Sequence, residues 1–245
     1  NPEKIVIATG DTSQLECIDL VSNYLNYDEY MDHCINTIFP NNIQLMINKR
    51  LTSDQDRETL TGFKSDIFNN AIPVVQTSKT YFKLVNEIKT NTNIAYMNST
   101  CELVANTVRK KLSRTFSYEV GEYLICRKFL KMKSYRFHVN YEYVITGVQD
   151  NLITIKEKSS GDEDEEDEDE ESIEVQVDKD TINKYFIFNY CRTCHSFQGS
   201  SVDEKSSVLD WRLELVTRKW LYTTLARATE LKYLAFYAGH DPTYD

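Results

Sequence analysis

Thr193 to Asp203 reads T-C-H-S-F-Q-G-S-S-V-D, behind a short apolar run from Tyr185 to Tyr190. Further on, Trp220 to Thr229 reads W-L-Y-T-T-L-A-R-A-T and leads an apolar run into Arg227. In the first stretch, small hydroxyl groups and the backbone N–H groups around Gly199 can approach phosphate closely. His195 admits two readings, a ligand contact or a satisfied structural histidine. Arg227 is either placed for an anion or an incidental arginine at a helix end.

At the other end of the chain, Lys4 to Ala8 (K-I-V-I-A) is a β-branched apolar run, which predicts a buried parallel strand. It ends in Gly10-Asp11-Thr12-Ser13-Gln14-Leu15. Ligands of open α/β sheets bind at the carboxyl ends of the strands. Gln44 to Leu51 is a second apolar run, and it ends in Asn48-Lys49-Arg50. A guanidinium there could take phosphate oxygens in two places, or could simply be solvated.

These stretches together resemble superfamily 1 DNA helicases of the RecD-like, 5′ to 3′ branch. The third motif of that family is G-D-x-x-Q-L, and residues 10–15 match it at all four fixed positions. Asn48-Lys49-Arg50 fits the fourth motif, the stretch from Thr193 resembles the fifth (roughly T-x-H-K-x-Q-G), and the stretch Trp220 to Thr229 resembles the sixth (roughly Y-x-A-x-[ST]-R-A). Ser196 stands where the family has Lys, and Ala226 where it has Ser or Thr.

The resemblance implies an α/β fold: a RecA-like parallel sheet flanked by helices, with an inserted small antiparallel β-barrel. Residues 1–42 would close a first RecA-like domain, and 43–117 and 185–245 would form the second. Residues 118–184 would be the barrel. Catalytic roles fall on Gln14, Arg50 and the arginine finger Arg227. Nucleotide contacts fall on Gly10, Asp11, Gln14, Arg50, Gln198, Gly199 and Arg227. DNA contacts fall on Asn98, Thr100, Thr193, His195, Arg127, Lys128 and Phe129. The expected cofactors are ATP and Mg2+. No G-x-x-x-x-G-K-[ST] occurs in the sequence, so the phosphate-cradling loop and the magnesium ligands are expected upstream. The expected partners are single-stranded DNA, duplex DNA at a fork and replication proteins, with no membrane.

The remaining chain is consistent with this plan. Ile18 to Asn48 has helical spacing, broken at residues 39–42. Thr52 to Asn69 reads as a helix capped at Ser53. A further helix is expected at Thr80 to Lys89, a strand at Asn93 to Met97, and a helix at Glu102 to Leu112. The basic end of that last helix suits the macrodipole. Arg109, Lys110, Lys111 and Arg114 could touch a DNA backbone or form a solvated face. From Tyr118 to Lys158, and again at Ser172 to Val177, residues alternate with period two between turn signals, which predicts about four antiparallel strands. There Arg127, Lys128, Lys131, Lys133 and Arg136 interleave with Phe129, Tyr135 and Phe137. That mixture suits single-stranded DNA, since aromatics stack on bases and cations take phosphates. An ordinary charged rim is the competing reading.

Lys+Arg total 28 against 38 Asp+Glu. Ten of the acids form one unbroken run, Asp162 to Glu171, and without it the balance is 28 against 28. The run repels itself and is expected to be a disordered loop over 159–172. The overall acidity therefore neither favours nor opposes a nucleic-acid partner. Six scattered cysteines and no membrane-length apolar run suit a reducing intracellular setting. Cys191-Arg192-Thr193-Cys194 has no second pair at zinc-ligand spacing, so no metal site is expected. The bias toward Asn, Ile, Lys and Tyr would suit an AT-rich genome. With the motif variants it points to a large DNA virus, and so to the nucleus or a cytoplasmic viral replication site. Two rival readings stay open. One is a non-catalytic nucleic-acid-binding module or degenerate helicase; the other is an RNA helicase of the same superfamily.

Overall fold

The structure is a computed structural model and describes residues 11, 13–14, 48–132, 135–158 and 173–239. The strand expected at Lys4 to Ala8, Gly10, the helical spacing of Ile18 to Ile47, most of the Gln44 to Leu51 run and the acidic run lie outside the described residues.

A five-stranded, all-parallel sheet carries the larger lobe. In chain order its strands are β1 (Leu84–Val85), β2 (Asn93–Ala95), β10 (Cys191–Thr193), β11 (Ser206–Val208) and β12 (Leu234–Tyr237). In space they run β1-β12-β11-β2-β10. Alternation along the strands sends successive residues to opposite faces. Ile94, Val208 and Phe236 join one core, with Leu60, Phe63, Trp220 and Leu225. Ala95, Leu209 and Cys191 join the other, with Val104 and Val108.

Helices cover both faces. α1 (Asp54–Phe68) is capped by Ser53, whose hydroxyl accepts from the Asp56 N–H at 3.1 Å. Asp54 and Asp56 in its first turn complement the dipole. It buries Leu60, Phe63 and Ile67 at helical spacing. α2 (Val74–Tyr81) follows Pro73, which presets the entry. The helix expected at Thr80 to Lys89 is therefore absent. Tyr81 ends α2, and Leu84–Val85 is drawn into a parallel ladder with β12. Phe82 anchors that exit, with its ring 5.3 Å from Phe63 and 5.1 Å from Phe236.

α3 (Asn98–Lys111) starts four residues before the expected Glu102. Its N-terminus has no local side-chain cap. Asp210, buried and at φ 60°, supplies one from the end of β11. Its carboxylate accepts from the N–H of Tyr96 at 3.0 Å and of Met97 at 2.9 Å, and from the Thr100 hydroxyl at 3.0 Å. α5 (Arg218–Leu225) leads into β12.

Between α3 and β10 the chain makes a second, antiparallel lobe. Its sheet runs β8 (Glu174–Asp178), β7 (Leu152–Glu157), β6 (Glu142–Gln149), β3 (Tyr123–Cys126), β9 (Phe186–Phe188). A two-stranded ribbon, β4 (Leu130–Met132) and β5 (Tyr135–Phe137), folds over the same core. The expected barrel thus takes the form of a sheet and a ribbon closing on Phe137, Tyr143, Ile145 and Ile155. It has more strands than expected, and it takes in Phe186–Phe188, beyond the expected boundary at residue 184. α4 (Lys179–Tyr185) links β8 to β9, capped by Asp178.

A buried ion pair fastens the lobes. Arg109 of α3 donates to both oxygens of Glu122, from Nε at 2.8 Å and Nη2 at 3.1 Å. Tyr190 adds its hydroxyl at 3.1 Å, and the Glu119 N–H lies at 3.0 Å. Arg109 also lies over the Phe188 ring at 4.3 Å. The basic end of α3 is thereby committed to protein: Lys111 pairs with Glu87 and Arg114 with Glu119.

Removing one partner of such a pair leaves a buried charge unmatched, at a cost of about 3–5 kcal/mol. Arg109→Met should lower unfolding stability by that amount in urea titration. Arg109→Met with Glu122→Leu should recover a large part of it. A single variant as stable as the parent would show that the pair does not join the lobes.

Candidate nucleotide and strand sites

Three loops meet before the amino ends of β11 and β12. Val202 forms a parallel bridge with Ala228. Its N–H donates to the Arg227 carbonyl at 2.8 Å, and its carbonyl accepts from the Thr229 N–H at 2.9 Å. The Thr52 N–H donates to the Thr229 carbonyl at 3.1 Å. This clasp fixes Ser201, Arg50 and Arg227 side by side.

Arg50 is presented by its own motif. Asn48 Oδ1 accepts from the N–H of Arg50 at 3.0 Å and of Leu51 at 3.4 Å, which shapes the turn. Arg57 of α1 braces the same segment, donating to the carbonyls of Asn48 at 3.0 Å and Leu51 at 2.7 Å. Arg50 then reaches out, with Nη1 on the Ala226 carbonyl at 2.7 Å and Nε on the Ser201 hydroxyl at 3.2 Å.

Arg227 is 6% exposed. Its Nη2 donates to Gln14 Oε1 at 2.5 Å, joining residues 213 apart. Gln14 Nε2 donates to Asp11 Oδ2 at 3.2 Å, and Asp11 Oδ1 accepts from the Ser13 N–H at 2.9 Å. Burial, and then the charge of Arg50, hold the Arg227 guanidinium below its usual pKa. Two cations are therefore crowded together. Arg227 Nε is buried with no hydrogen-bond partner among the described residues. An anionic oxygen would answer both conditions. The residues present thus fit the terminal phosphate of a nucleotide.

Tyr222, in the sixth-motif stretch, belongs to this cluster, though no site role was expected of it. Burial and the neighbouring Asp11 carboxylate push its phenol up to about 12. Lys64 lies 4.9 Å over its ring. Gly199, at φ 93°, holds a left-handed conformation that a side chain would strain, though a Cβ there would meet nothing within 4 Å. Gln198 beside it is exposed.

A second group sits at the carboxyl ends of β2 and β10, whose registers pair Ala95 with Thr193. Asn98 is exposed there, and Thr193 and His195 are partly exposed. Thr193 and Ser196 tie their hydroxyls together at 3.2 Å, and the Ser196 hydroxyl also meets the Thr193 carbonyl at 2.9 Å. Ser196 therefore shapes the turn in which the family has Lys. Thr100 is a correction: it is fully buried, and its hydroxyl is spent on Asp210.

Arg127, Lys128 and Phe129 lie on the other lobe, exposed at the entry to the ribbon. Arg127 faces Glu102 of α3 at 3.7 Å. Phe137 is fully buried and Tyr135 is engaged by Glu157 at 2.9 Å, so neither offers a free ring.

Arg192 was also missed by the sequence reading. It is 1% exposed, and its Nη1 meets Glu142 of β6 at 3.3 Å. Its Nη2 donates to the Ser196 carbonyl, and the guanidinium covers the Phe197 ring at 4.8 Å. It links the antiparallel lobe to the 193–199 turn. Cys191 and Cys194 enter opposite cores, so they cannot converge on one metal. Among the described residues no group of three His, Cys, Asp or Glu is placed to hold a metal ion. Burial pushes the Cys194 thiol up to about 11.

Burial also holds the His195 imidazole below its usual pKa. The unfolded chain then binds the proton more readily than the native state, so stability falls as pH drops through the unfolded value toward the native one. The urea midpoint should decline from pH 7 to pH 5, and His195→Gln should shrink that decline. An equal decline in both proteins would assign the effect to other groups.

No protein-family model matches the chain, and comparison with curated proteins gives no match. Solved structures do resemble it. The Pif1 helicase from Candida albicans superposes with a TM-score of 0.54 at 12% identity, over 95% of this chain and 64% of that one. Pif1 from Bacteroides, in complex with ADP-AlF3 and single-stranded DNA, gives 0.53 at 14% identity, over 93% and 60%. Across such structures this chain spans 47% to 64% of the length of the neighbour. At these identities the likeness is one of architecture: the chain has the fold found in the Pif1 helicases.

Proposed function

We propose that this chain is the C-terminal half of an ATP-dependent DNA helicase that translocates on single-stranded DNA and unwinds duplex at a fork, in replication or repair. One observation carries the reading. Gln14, Arg50 and Arg227 lie far apart in sequence, yet Arg227 touches Gln14 and is crowded by the charge of Arg50. Such a cluster suits the end of a nucleotide whose remaining contacts lie on another sheet. The helicase folds that resemble this one include a Pif1 solved with ADP-AlF3 and single-stranded DNA.

In this reading ATP supplies the phosphoryl group whose transfer to water releases free energy, and Mg2+ accompanies it. Arg227 neutralises charge developing on the transferred group, with its planar fork aimed by the clasp on its own carbonyl. Arg50 supplies a second guanidinium from the neighbouring loop. Gln14 senses the same oxygens and is tied to Asp11. Gln198 and Gly199 border this site through the loop that carries Ser201. That loop continues from the Thr193–His195 turn, where with Asn98 a DNA backbone would lie. A change at the phosphate end therefore reaches the strand end through one short stretch of chain. Arg192 steadies that stretch from the antiparallel lobe. A viral source and viral replication sites fit the composition.

Arg227→Ala or Arg50→Ala in the complete protein should spare most ATP binding. Each should lower DNA-stimulated turnover, by on the order of 10³-fold for a full arginine finger. Lys at either position should rescue poorly, because a point charge cannot copy the fork. Near-normal turnover in Arg227→Ala would favour a non-catalytic binding module instead. Preferential unwinding of RNA duplexes would favour the RNA-helicase reading. Residues 1–245 alone, which contain no G-x-x-x-x-G-K-[ST], should show no ATP turnover in a phosphate-release assay.

A further inference from the structure

Six hydroxyl side chains line the stretch from Thr193 to Ser207, and Ser201 alone among them is exposed. Thr193 and Ser196 are tied to each other, and Ser206 and Ser207 are buried in β11. Ser201 follows the exposed Gln198 and Gly199, the latter at φ 93°. Its hydroxyl accepts from Arg50 Nε at 3.2 Å. The N–H of the next residue, Val202, holds the Arg227 carbonyl at 2.8 Å. Two exposed acids, Asp203 and Glu204, come directly after. Ser201 is thus a solvent-facing hydroxyl with carboxylates downstream of it and guanidinium groups beside it.

We propose that Ser201 is a phosphorylation site for a serine kinase that reads downstream carboxylates, and that its phosphate pairs with Arg50 and closes the arginine cluster to the nucleotide. The Ser201 Oγ attacks the γ-phosphorus of the ATP held by the kinase. The bond from that phosphorus to the bridging oxygen breaks, ADP leaves, and the hydroxyl proton passes to the base of the kinase. The product carries nearly two negative charges and three acceptor oxygens, which opposite an arginine form charge-assisted bonds. Arg50 now spends its bonds on neutral oxygens, the Ala226 carbonyl and the Ser201 hydroxyl. A dianion on Ser201 would replace the weaker of them with an ion pair. Arg227 feels the charge of Arg50, and the same dianion relieves that crowding, as a terminal phosphate otherwise would. Being tethered, it competes at an effective concentration on the order of millimolar. The inhibition rests on the reading of the cluster as a nucleotide site; the pairing with Arg50 does not.

The test treats the complete protein with ATP and a purified serine kinase of acidic-site specificity. Ser159→Ala and Ser160→Ala are present throughout, because those serines precede the acidic run and would also be read. Mass spectrometry should place a phosphate on Ser201, and Asp203→Asn with Glu204→Gln should slow its incorporation by about tenfold or more. In ³¹P NMR that phosphate should titrate about one pH unit below an ordinary phosphoserine. Arg50→Gln should restore the ordinary titration. DNA-stimulated turnover of the phosphorylated protein should fall on the order of 10³-fold, as when a finger is lost. ADP, which has no terminal phosphate, should bind as before. No phosphate on Ser201 would overturn the site, and an unshifted ³¹P titration would overturn the pairing with Arg50. Unchanged turnover would overturn the inhibition. If Arg227→Ala then still abolished turnover, the inhibition alone would fall; if that variant turned over normally, the nucleotide reading would fall with it.

Discussion

Arg227 is held by its main chain before its side chain does anything. The Val202 N–H on its carbonyl and the Val202 carbonyl on Thr229 make a two-bond clasp between loops that precede adjacent strands. Thr52 adds a third loop to the same clasp. Each of these loops carries or borders a polar group of the site: Arg50, Ser201 or Arg227. A guanidinium loses much conformational freedom when it is ordered, so its aim depends on what fixes the backbone beneath it. Here the backbone is fixed by bonds that no side-chain substitution at the site removes. Asn48 and Arg57 do the equivalent work for Arg50.

The candidate sites lie at opposite ends of the parallel strands. Asn98, Thr193 and His195 follow the carboxyl ends of β2 and β10, while the arginines gather before the amino ends of β11 and β12. Chain geometry makes this a short distance, because these strands are only three or four residues long. The segment from Thr193 to Val202 spans it. Its rigidity comes from the Thr193–Ser196 hydroxyl pair and from Arg192 under Ser196 and Phe197. The serine that departs from the family pattern thus has a local role, which a lysine at that position would fill differently.

Much of the architecture was legible because it depends on local signals. Period-two alternation marked the antiparallel lobe, and Ser53 with the spacing of Leu60, Phe63 and Ile67 marked α1. The stretches around Gln14, Arg50, Thr193 and Arg227 were legible as motifs, and the structure brings Arg227 to Gln14. The misreadings share a cause, which is partners distant in sequence. The resemblance put Thr100 against DNA, but Asp210 takes its hydroxyl, from 110 residues away. Arg109 looked like part of a basic tail until Glu122, on the far side of a loop, claimed it. The region after Pro73 was read as a helix placed too late, because the pull of β12 on Leu84–Val85 is not written in that segment. Arg192 gave no signal of its own, since an arginine in a short strand is commonplace, and Tyr222 stood in the sixth-motif stretch without a role assigned to it.

The antiparallel lobe enters and leaves the parallel one at neighbouring places, after α3 and before β10, so the sheet closes without it. Such an arrangement suits replacement, because a segment whose ends lie close can be lengthened or exchanged with little strain on its host. What limits exchange is electrostatic. The host presents two arginines toward the lobe, the part-buried Arg109 and the buried Arg192, and the lobe answers with Glu122 and Glu142. A cassette of any other shape would leave both cations stranded unless it returned a carboxylate to each. Descendants of this fold could therefore diversify the outer surface of the lobe widely, and still be recognised by a pair of acids at its base.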